Sequence, residues 1–206
     1  MTTKRLGSEG TGEAADLVKR GGLLAVPTET VYGVAASAED AAAVRRIFDL
    51  RKRDHGKPVS ILVTGMDMAE RYCRDIPPAA YRLAERYWPG PLTLVLTDGG
   101  AVPSVVTAGA GTLGVRCPDH PVTRALIEKA GVPLAAPSAN PAGEEPAKTV
   151  QEVLDYFDGQ IQAVLDGGPC DLGVASTVLD LTEEEPRVLR EGGIPAAELL
   201  AFLREE

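Results

Sequence analysis

The side chains best suited to chemistry in this 206-residue chain are a short row of hydroxyls and a run of cations. Thr28, Thr30 and Tyr32 follow the apolar run Leu23-Leu24-Ala25-Val26 and Pro27, and Gly33 ends the row. In an extended segment side chains alternate, so the three hydroxyls share one surface while Glu29 and Val31 take the other. Gly33 then offers a turn or a close backbone approach. Downstream, Arg45, Arg46, Arg51, Lys52, Arg53 and Lys57 place six of the chain's 21 Lys and Arg residues within residues 45–57, against only Asp49 and Asp54. Hydroxyls beside guanidinium and ammonium groups are equipped to bind carboxylate and phosphate oxygens. The whole chain carries a formal net charge of −9 with a pI near 4.8. That balance argues against bulk electrostatic capture of nucleic acid and leaves the local patch to a small, phosphate-bearing ligand.

These groups need a scaffold to hold them. The apolar run before Pro27, bounded by Gly21-Gly22, predicts a buried strand. Ala14, Ala15, Leu17 and Val18 predict a helix over about 12–20 ahead of it. Ser37 stands three residues before Asp40, and Val44, Ile47 and Phe48 recur at i, i+3 and i+4, which predicts a helix over about 39–51. Arg51 falls in its last turn, where a cation suits the helix dipole, whereas Arg53 and Lys57 lie beyond that explanation. Further strands are predicted at about 59–63, 92–97, 112–116, 133–136, 161–166, 175–181 and 186–190. Further helices are predicted at about 67–73, 78–87, 121–130, 149–157 and from 195. The alternation predicts an α/β (mixed α+β) fold, with residues 1–206 as a single domain on one twisted, mixed sheet with helices packed on it. Hydrophobic residues at 44% and charged residues at 25% fit a globular protein.

Several familiar signatures fail on context. Gly109-Ala110-Gly111-Thr112-Leu113-Gly114 matches a dinucleotide string but precedes a predicted strand, where that fold needs glycines opening a helix. His55-Gly56-Lys57-Pro58 resembles the end of a phosphate loop, yet Arg51 replaces its first glycine and Pro58 its hydroxyl residue. Ser138 lacks the glycines of a nucleophile elbow, and only His55 and His120 exist to serve it as a base. No cluster of acidic residues has metal-ligand spacing, so a resident metal is not expected. Cys73, Cys117 and Cys170 are odd in number and widely spaced, which points to a reducing compartment and structural thiols. The N-terminus has no apolar signal core and no run reaches membrane-spanning length, so a cytoplasmic protein without membrane contact is expected.

Six ordered segments resemble the YrdC-type L-threonylcarbamoyladenylate synthases along nearly the whole chain. Residues 21–33 are similar to that family's strand-plus-hydroxyl opening, and Arg51-Lys52-Arg53 falls at its KxR motif. Trp88-Pro89-Gly90-Pro91-Leu92-Thr93 resembles its WPGPLT block, and Pro137-Ser138-Ala139-Asn140 its SxN motif. Gly173-Val174-Ala175-Ser176-Thr177-Val178 and Val188-Leu189-Arg190-Glu191-Gly192 resemble its two C-terminal signatures. The resemblance implies a YrdC-like fold with a concave basic pocket. It also implies a reaction: L-threonine, bicarbonate or CO₂, and ATP give threonylcarbamoyl-AMP, pyrophosphate and water, and a transferase then modifies tRNA. ATP is a substrate that carries Mg²⁺ on its phosphates.

Carried onto this chain, the resemblance assigns Thr28, Thr30, Tyr32, Arg116 and Ser176 to threonine. It assigns Arg51, Arg53, Lys57, Thr112, Ser138, Asn140 and Arg190 to ATP, with Arg51, Arg53, Ser138 and Asn140 as the catalytic set. Arg116 suits the amino acid's carboxylate because a planar guanidinium pairs it bidentately. Trp88 is assigned to packing. Arg51 stands where the family usually has Lys, which keeps the charge but changes the geometry. On this reading Arg51→Ala weakens ATP use with little effect on melting, and Arg51→Lys stays active. The polar loop Pro141-Ala142-Gly143-Glu144-Glu145-Pro146-Ala147-Lys148 is a candidate lid. Two other readings stay open: a related enzyme that draws on carbamoyl phosphate, and a non-catalytic RNA-binding module whose basic patch makes a weak tRNA contact.

Overall fold

The computed structural model of the chain describes residues 2–204 and is built on one mixed sheet of eleven strands. The chain runs through β1 (Lys4–Leu6), α1 (Thr11–Lys19), β2 (Leu24–Val26), β3 (Gly33–Ser37), α2 (Ala41–Arg51), β4 (Ile61–Leu62), α3 (Met66–Ala69), β5 (Cys73–Arg74) and α4 (Pro78–Tyr87). It continues through β6 (Leu92–Asp98), α5 (Ser104–Thr107), β7 (Thr112–Arg116), α6 (Pro121–Ala130), β8 (Leu134–Ala135) and α7 (Val150–Phe157), and ends with β9 (Ala163–Leu165), β10 (Thr177–Asp180), β11 (Arg187–Arg190) and α8 (Ala196–Arg204). Across the sheet the order is β1-β9-β2-β3-β8-β4-β7-β6-β10-β11, with β5 pairing β6 off that path.

The middle of the sheet is covered on both faces. β2 and β3 pair antiparallel with Leu24 opposite Ala35 and Val26 opposite Gly33. Period-two alternation sends Leu24, Val26 and Ala35 into one hydrophobic cluster, and Ala25, Val34 and Ala36 into a second. The second cluster is closed by Val150, Val153 and Phe157 of α7, a helix started by a reciprocal cap between Thr149 and Glu152.

Several sequence expectations shift here for physical reasons. β3 was not predicted: Val34-Ala35-Ala36 has few β-branched residues, and its strand character comes from pairing with β2 and β8. The segment after Pro27 is therefore not an extended strand but the loop joining β2 to β3. Asp40, not Ser37, caps α2, accepting from the Ala42 and Ala43 amides at 2.9 and 3.0 Å. The short β1, β5 and α5 were missed as well, each too short to show a period. α6 and β7 keep the bounds that their patterns predict, α6 ending at Gly131 with φ +75°. Among the described residues, no helix is long and apolar enough to cross a membrane, and no group of three or more His, Cys, Asp or Glu is placed to hold a metal ion.

Candidate active site

The β2–β3 loop, the segment after α2, strands β6 and β7, residues 136–138 and the β10–β11 pair converge on a cavity of about 430 Å³. Its wall includes Thr28, Thr30, Tyr32, Arg53, Thr112, Arg116, Ser138, Ser176 and Arg190. Nine of the twelve residues singled out from sequence thus meet on one surface. The other three, Arg51, Lys57 and Asn140, are not on the wall.

The loop geometry changes what the hydroxyls do. Thr28 Oγ1 donates to the Val31 carbonyl at 2.6 Å and accepts from the Thr30 and Val31 amides, both at 3.2 Å. These bonds close a tight side-chain turn, so Thr28 is largely spent on shaping the loop. Thr30 Oγ1 lies 2.8 Å from Thr28 Oγ1, and either hydroxyl can be the donor. Tyr32 reaches the wall through the loop, but its hydroxyl donates to the Gly168 carbonyl at 2.7 Å and its residue is fully buried. Burial pushes its phenol up to about 12. The row of three equivalent hydroxyls expected from alternation is therefore corrected. The chain turns at Thr28, and Tyr32 points into the second core.

Arg51 is a different kind of residue from Arg53. It is 4% exposed, and its Nε donates to the Asn140 carbonyl at 2.8 Å. Its Nη2 lies 3.2 Å from Ser138 Oγ and 3.3 Å from Asn140 Oδ1. The Ala142 amide in turn donates to the Arg51 carbonyl at 2.7 Å. Arg51 therefore knits the end of α2 to the Ser138–Asn140 segment. Burial first, and then the charge of Arg53, lower its pKa to about 10, so it stays protonated at neutrality. Asn140 is also tied inward, its amide donating to the Pro141 and Glu144 carbonyls at 2.9 and 2.7 Å. That fold-back anchors the loop proposed as a lid, whose Ala142 to Glu145 stretch is exposed while Pro146 touches the cavity. Arg53, beyond the left-handed Lys52 that ends α2, keeps only a 3.0 Å bond to the Pro58 carbonyl, and its buried Nε has no partner among the described residues. Lys57 is exposed.

Two further arginines complete the wall. Arg116, 7% exposed at the end of β7, donates Nε to the Gly90 carbonyl at 3.1 Å. Its Nη2 lies 2.6 Å from Glu29 Oε1, an ion pair in contact but not aligned as a hydrogen bond. The Glu29 Oε2 atom accepts from the Asp119 amide at 3.1 Å. The Trp88–Gly90 turn thus supports Arg116 from below, with Trp88 itself donating Nε1 to the Leu92 carbonyl at 2.7 Å. Arg190 of β11 is exposed as a residue, but its Nε and Nη2 grip the Ser176 carbonyl at 3.1 and 2.8 Å. Partial desolvation and then the charges of Arg116 and Arg53 hold its guanidinium below the ordinary value, which records three like charges around one space.

Sequence reasoning missed Glu29 and Thr93. Glu29 was set aside on the opposite face of a supposed strand, and its flanking threonines gave no sign of a buried partner. Thr93 sits on the cavity wall 2.8 Å from Ser176, within the WPGPLT-like block. Alternation within β6 gave no reason to choose it.

Gly192 fixes the Ser176 end of the site. A Cβ there would collide with the Ala175 carbonyl oxygen and with the Ser176 carbonyl carbon and oxygen, all backbone atoms that cannot swing aside. Gly192→Ala is expected to push residues 175–176 off the wall and to destabilise the fold by about 1–3 kcal/mol, a typical cost of overpacking. Chemical denaturation and ligand titration of that variant measure both effects.

The ionisable residues that line the wall are Arg53, Arg116, Arg190 and Tyr32, with no Asp, Glu, His, Lys or Cys among the described residues there. Guanidiniums hold their charge throughout neutral pH. The arrangement can bind and orient anions and stabilise developing negative charge, but it offers no side chain suited to remove a proton near neutrality.

A family model described as telomere recombination, the Sua5/YciO/YrdC model, matches residues 16–192. A threonylcarbamoyl-AMP synthase of Pyrococcus abyssi is 45% identical over 192 residues, covering 93% of this chain and 56% of the relative. The chain thus spans little more than half the length of that curated relative. A putative threonylcarbamoyl-AMP synthase of Mycobacterium tuberculosis is 33% identical, covering 95% of this chain and 90% of the relative. The crystal structure of P. abyssi Sua5 complexed with L-threonine superposes with a TM-score of 0.95 at 40% identity, covering 100% of this chain and 62% of that one.

Proposed function

The chain belongs to the Sua5/YciO/YrdC family, and from that premise we propose that it is an L-threonylcarbamoyladenylate synthase. It joins L-threonine, bicarbonate or CO₂, and ATP into threonylcarbamoyl-AMP, releasing pyrophosphate and, when bicarbonate supplies the carbon, water. The product then serves a transferase that modifies tRNA. Threonine's amine is first carboxylated to a carbamate, whose oxygen attacks the α-phosphorus and displaces pyrophosphate. Mg²⁺ enters on the triphosphate as part of the substrate.

The observation that carries this reading is a wall of three arginines without a proteinaceous base. The reaction needs no protein nucleophile. It needs a carboxylate, a carbamate and a triphosphate brought together, with their charges balanced and water held back. Arg116, squared by Glu29 and Gly90, binds the amino acid's carboxylate, with Thr28 and Thr30 shaping the wall beside it. Arg53, Arg190 and Thr112 take the phosphates, and Ser138 presents its hydroxyl next to them. Arg51 and Asn140 support that hydroxyl from behind, and Lys57 has no role at the wall. Each charge-assisted hydrogen bond is worth about 1.5–3 kcal/mol, so several acting together account for selective anion binding.

The test is incubation with ATP, bicarbonate and each amino acid in turn, measuring pyrophosphate release and the adenylate by mass. Threonine-dependent release with the matching adenylate mass is expected. Release that ignores the amino acid overturns the reading.

The absence of a neutral-range base on the wall also sets the pH profile. Tyr32, held near 12, stays protonated, so between about pH 6 and 9 the rate follows the substrates. The reactive form of threonine is its free amine, so kcat/KM for threonine is expected to rise with pH, about tenfold per unit, until the amine is deprotonated. Initial rates at saturating ATP check this. A descending limb between pH 6 and 9 that moves with a protein mutation contradicts it.

A further inference from the structure

Thr93 lies second in β6 and is 2% exposed. Its Oγ1 sits 2.8 Å from the Oγ of Ser176, which precedes β10 and is 5% exposed. Parallel pairing holds the two together, with Thr177 opposite Leu92 and Val178 opposite Thr93. Both residues line the cavity. Ser176 is also the anchor of Arg190: its carbonyl accepts from Nε and Nη2, and its Oγ lies 3.2 Å from Nη2. Thr93 of β6 and Arg190 of β11 therefore meet at one hydroxyl, that of Ser176 just before β10.

A serine hydroxyl accepts two hydrogen bonds and donates one. Arg190 occupies one acceptor position of Ser176 Oγ. Among the described residues, Ser176 Oγ is the hydrogen-bond partner of the Thr93 hydroxyl. Either hydroxyl of the pair can donate; with Thr93 as donor, the second acceptor position of Ser176 is filled. The hydrogen on Ser176 is then free for the cavity, which Arg53, Arg116 and Arg190 also line. An anion in that space reinforces the same polarity, because Thr93 donates to Ser176 and Ser176 donates to the anion.

We propose that Thr93 is a positioning residue of this site, setting the direction of the Ser176 O–H so that Ser176 and Arg190 together receive an anionic oxygen of the ligand. The inference rests on the synthase reading. In that reading the oxygen belongs either to threonine's carboxylate or to an ATP phosphate, two groups that present the same acceptor chemistry.

The test compares the full chain with Thr93→Val, which keeps the shape and removes the hydroxyl, and Thr93→Ser, which keeps the hydroxyl. Calorimetric titration with L-threonine and, separately, with Mg-ATP reads the affinities, and steady-state pyrophosphate release separates KM from kcat. Thr93→Val is expected to weaken one ligand about tenfold, chiefly in KM, while Thr93→Ser stays within about threefold of the parent. Weakening confined to threonine identifies the carboxylate, and weakening confined to Mg-ATP the phosphate. If the parent binds and Thr93→Val binds both ligands equally well, or if Thr93→Ser falls as far as Thr93→Val, the positioning role is overturned while the synthase reading stands. A parent that binds neither ligand overturns the synthase reading and this inference with it.

Discussion

Arg116→Ala is expected to abolish threonine-dependent pyrophosphate release and to cost about 3–5 kcal/mol of stability, the range for removing one partner of a buried ion pair. The two effects have one cause. Arg116 and Glu29 are each 8% exposed at their side chains and touch at 2.6 Å. Removing the cation leaves a carboxylate in a poorly solvated site, held among the described residues by the Asp119 amide. The Gly90 carbonyl loses its guanidinium donor as well. Stability and function separate in a second variant: Glu29→Gln combined with Arg116→Met removes both charges and keeps most of the volume. That pair is expected to recover much of the lost stability, since apolar replacement of a whole buried pair is often neutral, yet to remain inactive. Urea denaturation and pyrophosphate release on the three proteins check the prediction. An active double variant dismisses Arg116 as the carboxylate site.

Arg51→Ala and Arg53→Ala are expected to fail in opposite ways, although the two residues are neighbours in one motif. Arg51 spends Nε and Nη2 on Asn140 and Ser138, although its buried Nη1 has no partner among the described residues, so its loss strands buried acceptors and costs about 2–3 kcal/mol. Activity then falls because Ser138 has lost its support. The sequence reading expected little change in melting for this variant, and the burial of Arg51 reverses that expectation. Arg51→Lys is expected to fall between, because a single ammonium cannot reach Asn140 and Ser138 with the spread of a guanidinium. Arg53 has one carbonyl partner and a buried Nε without one, so Arg53→Ala leaves the fold nearly as stable while raising the KM for ATP about tenfold or more. Melting curves and ATP titrations of the two alanine variants distinguish these patterns. Equal loss of stability in both removes the distinction drawn between them.

The sequence alone determined much of the frame. The 3.6-residue period of Val44, Ile47 and Phe48 and the Gly-terminated pattern before Gly131 are local features, and α2 and α6 follow from them because a helix satisfies its hydrogen bonds within its own segment. Order along the chain likewise carried the family, since six short segments in sequence need no coordinates to be compared.

What only the tertiary structure decided is which way each polar group faces. Thr28 and Tyr32 were placed on one face by alternation. Val26 opposite Gly33 makes their segment a hairpin loop instead, where a Thr28 side-chain turn and a distant Gly168 carbonyl set the directions. Arg51 and Arg53 are indistinguishable as residue types in one basic run. One is buried against a loop 89 residues away and the other opens onto the cavity, because α2 ends between them at a left-handed Lys52. Glu29 with Arg116, and Thr93 with Ser176, are separated by 87 and 83 residues in sequence and joined only by sheet order and register. Hydrogen bonds and ion pairs act over a few ångströms, and no local period in the sequence encodes which distant strand will supply the partner.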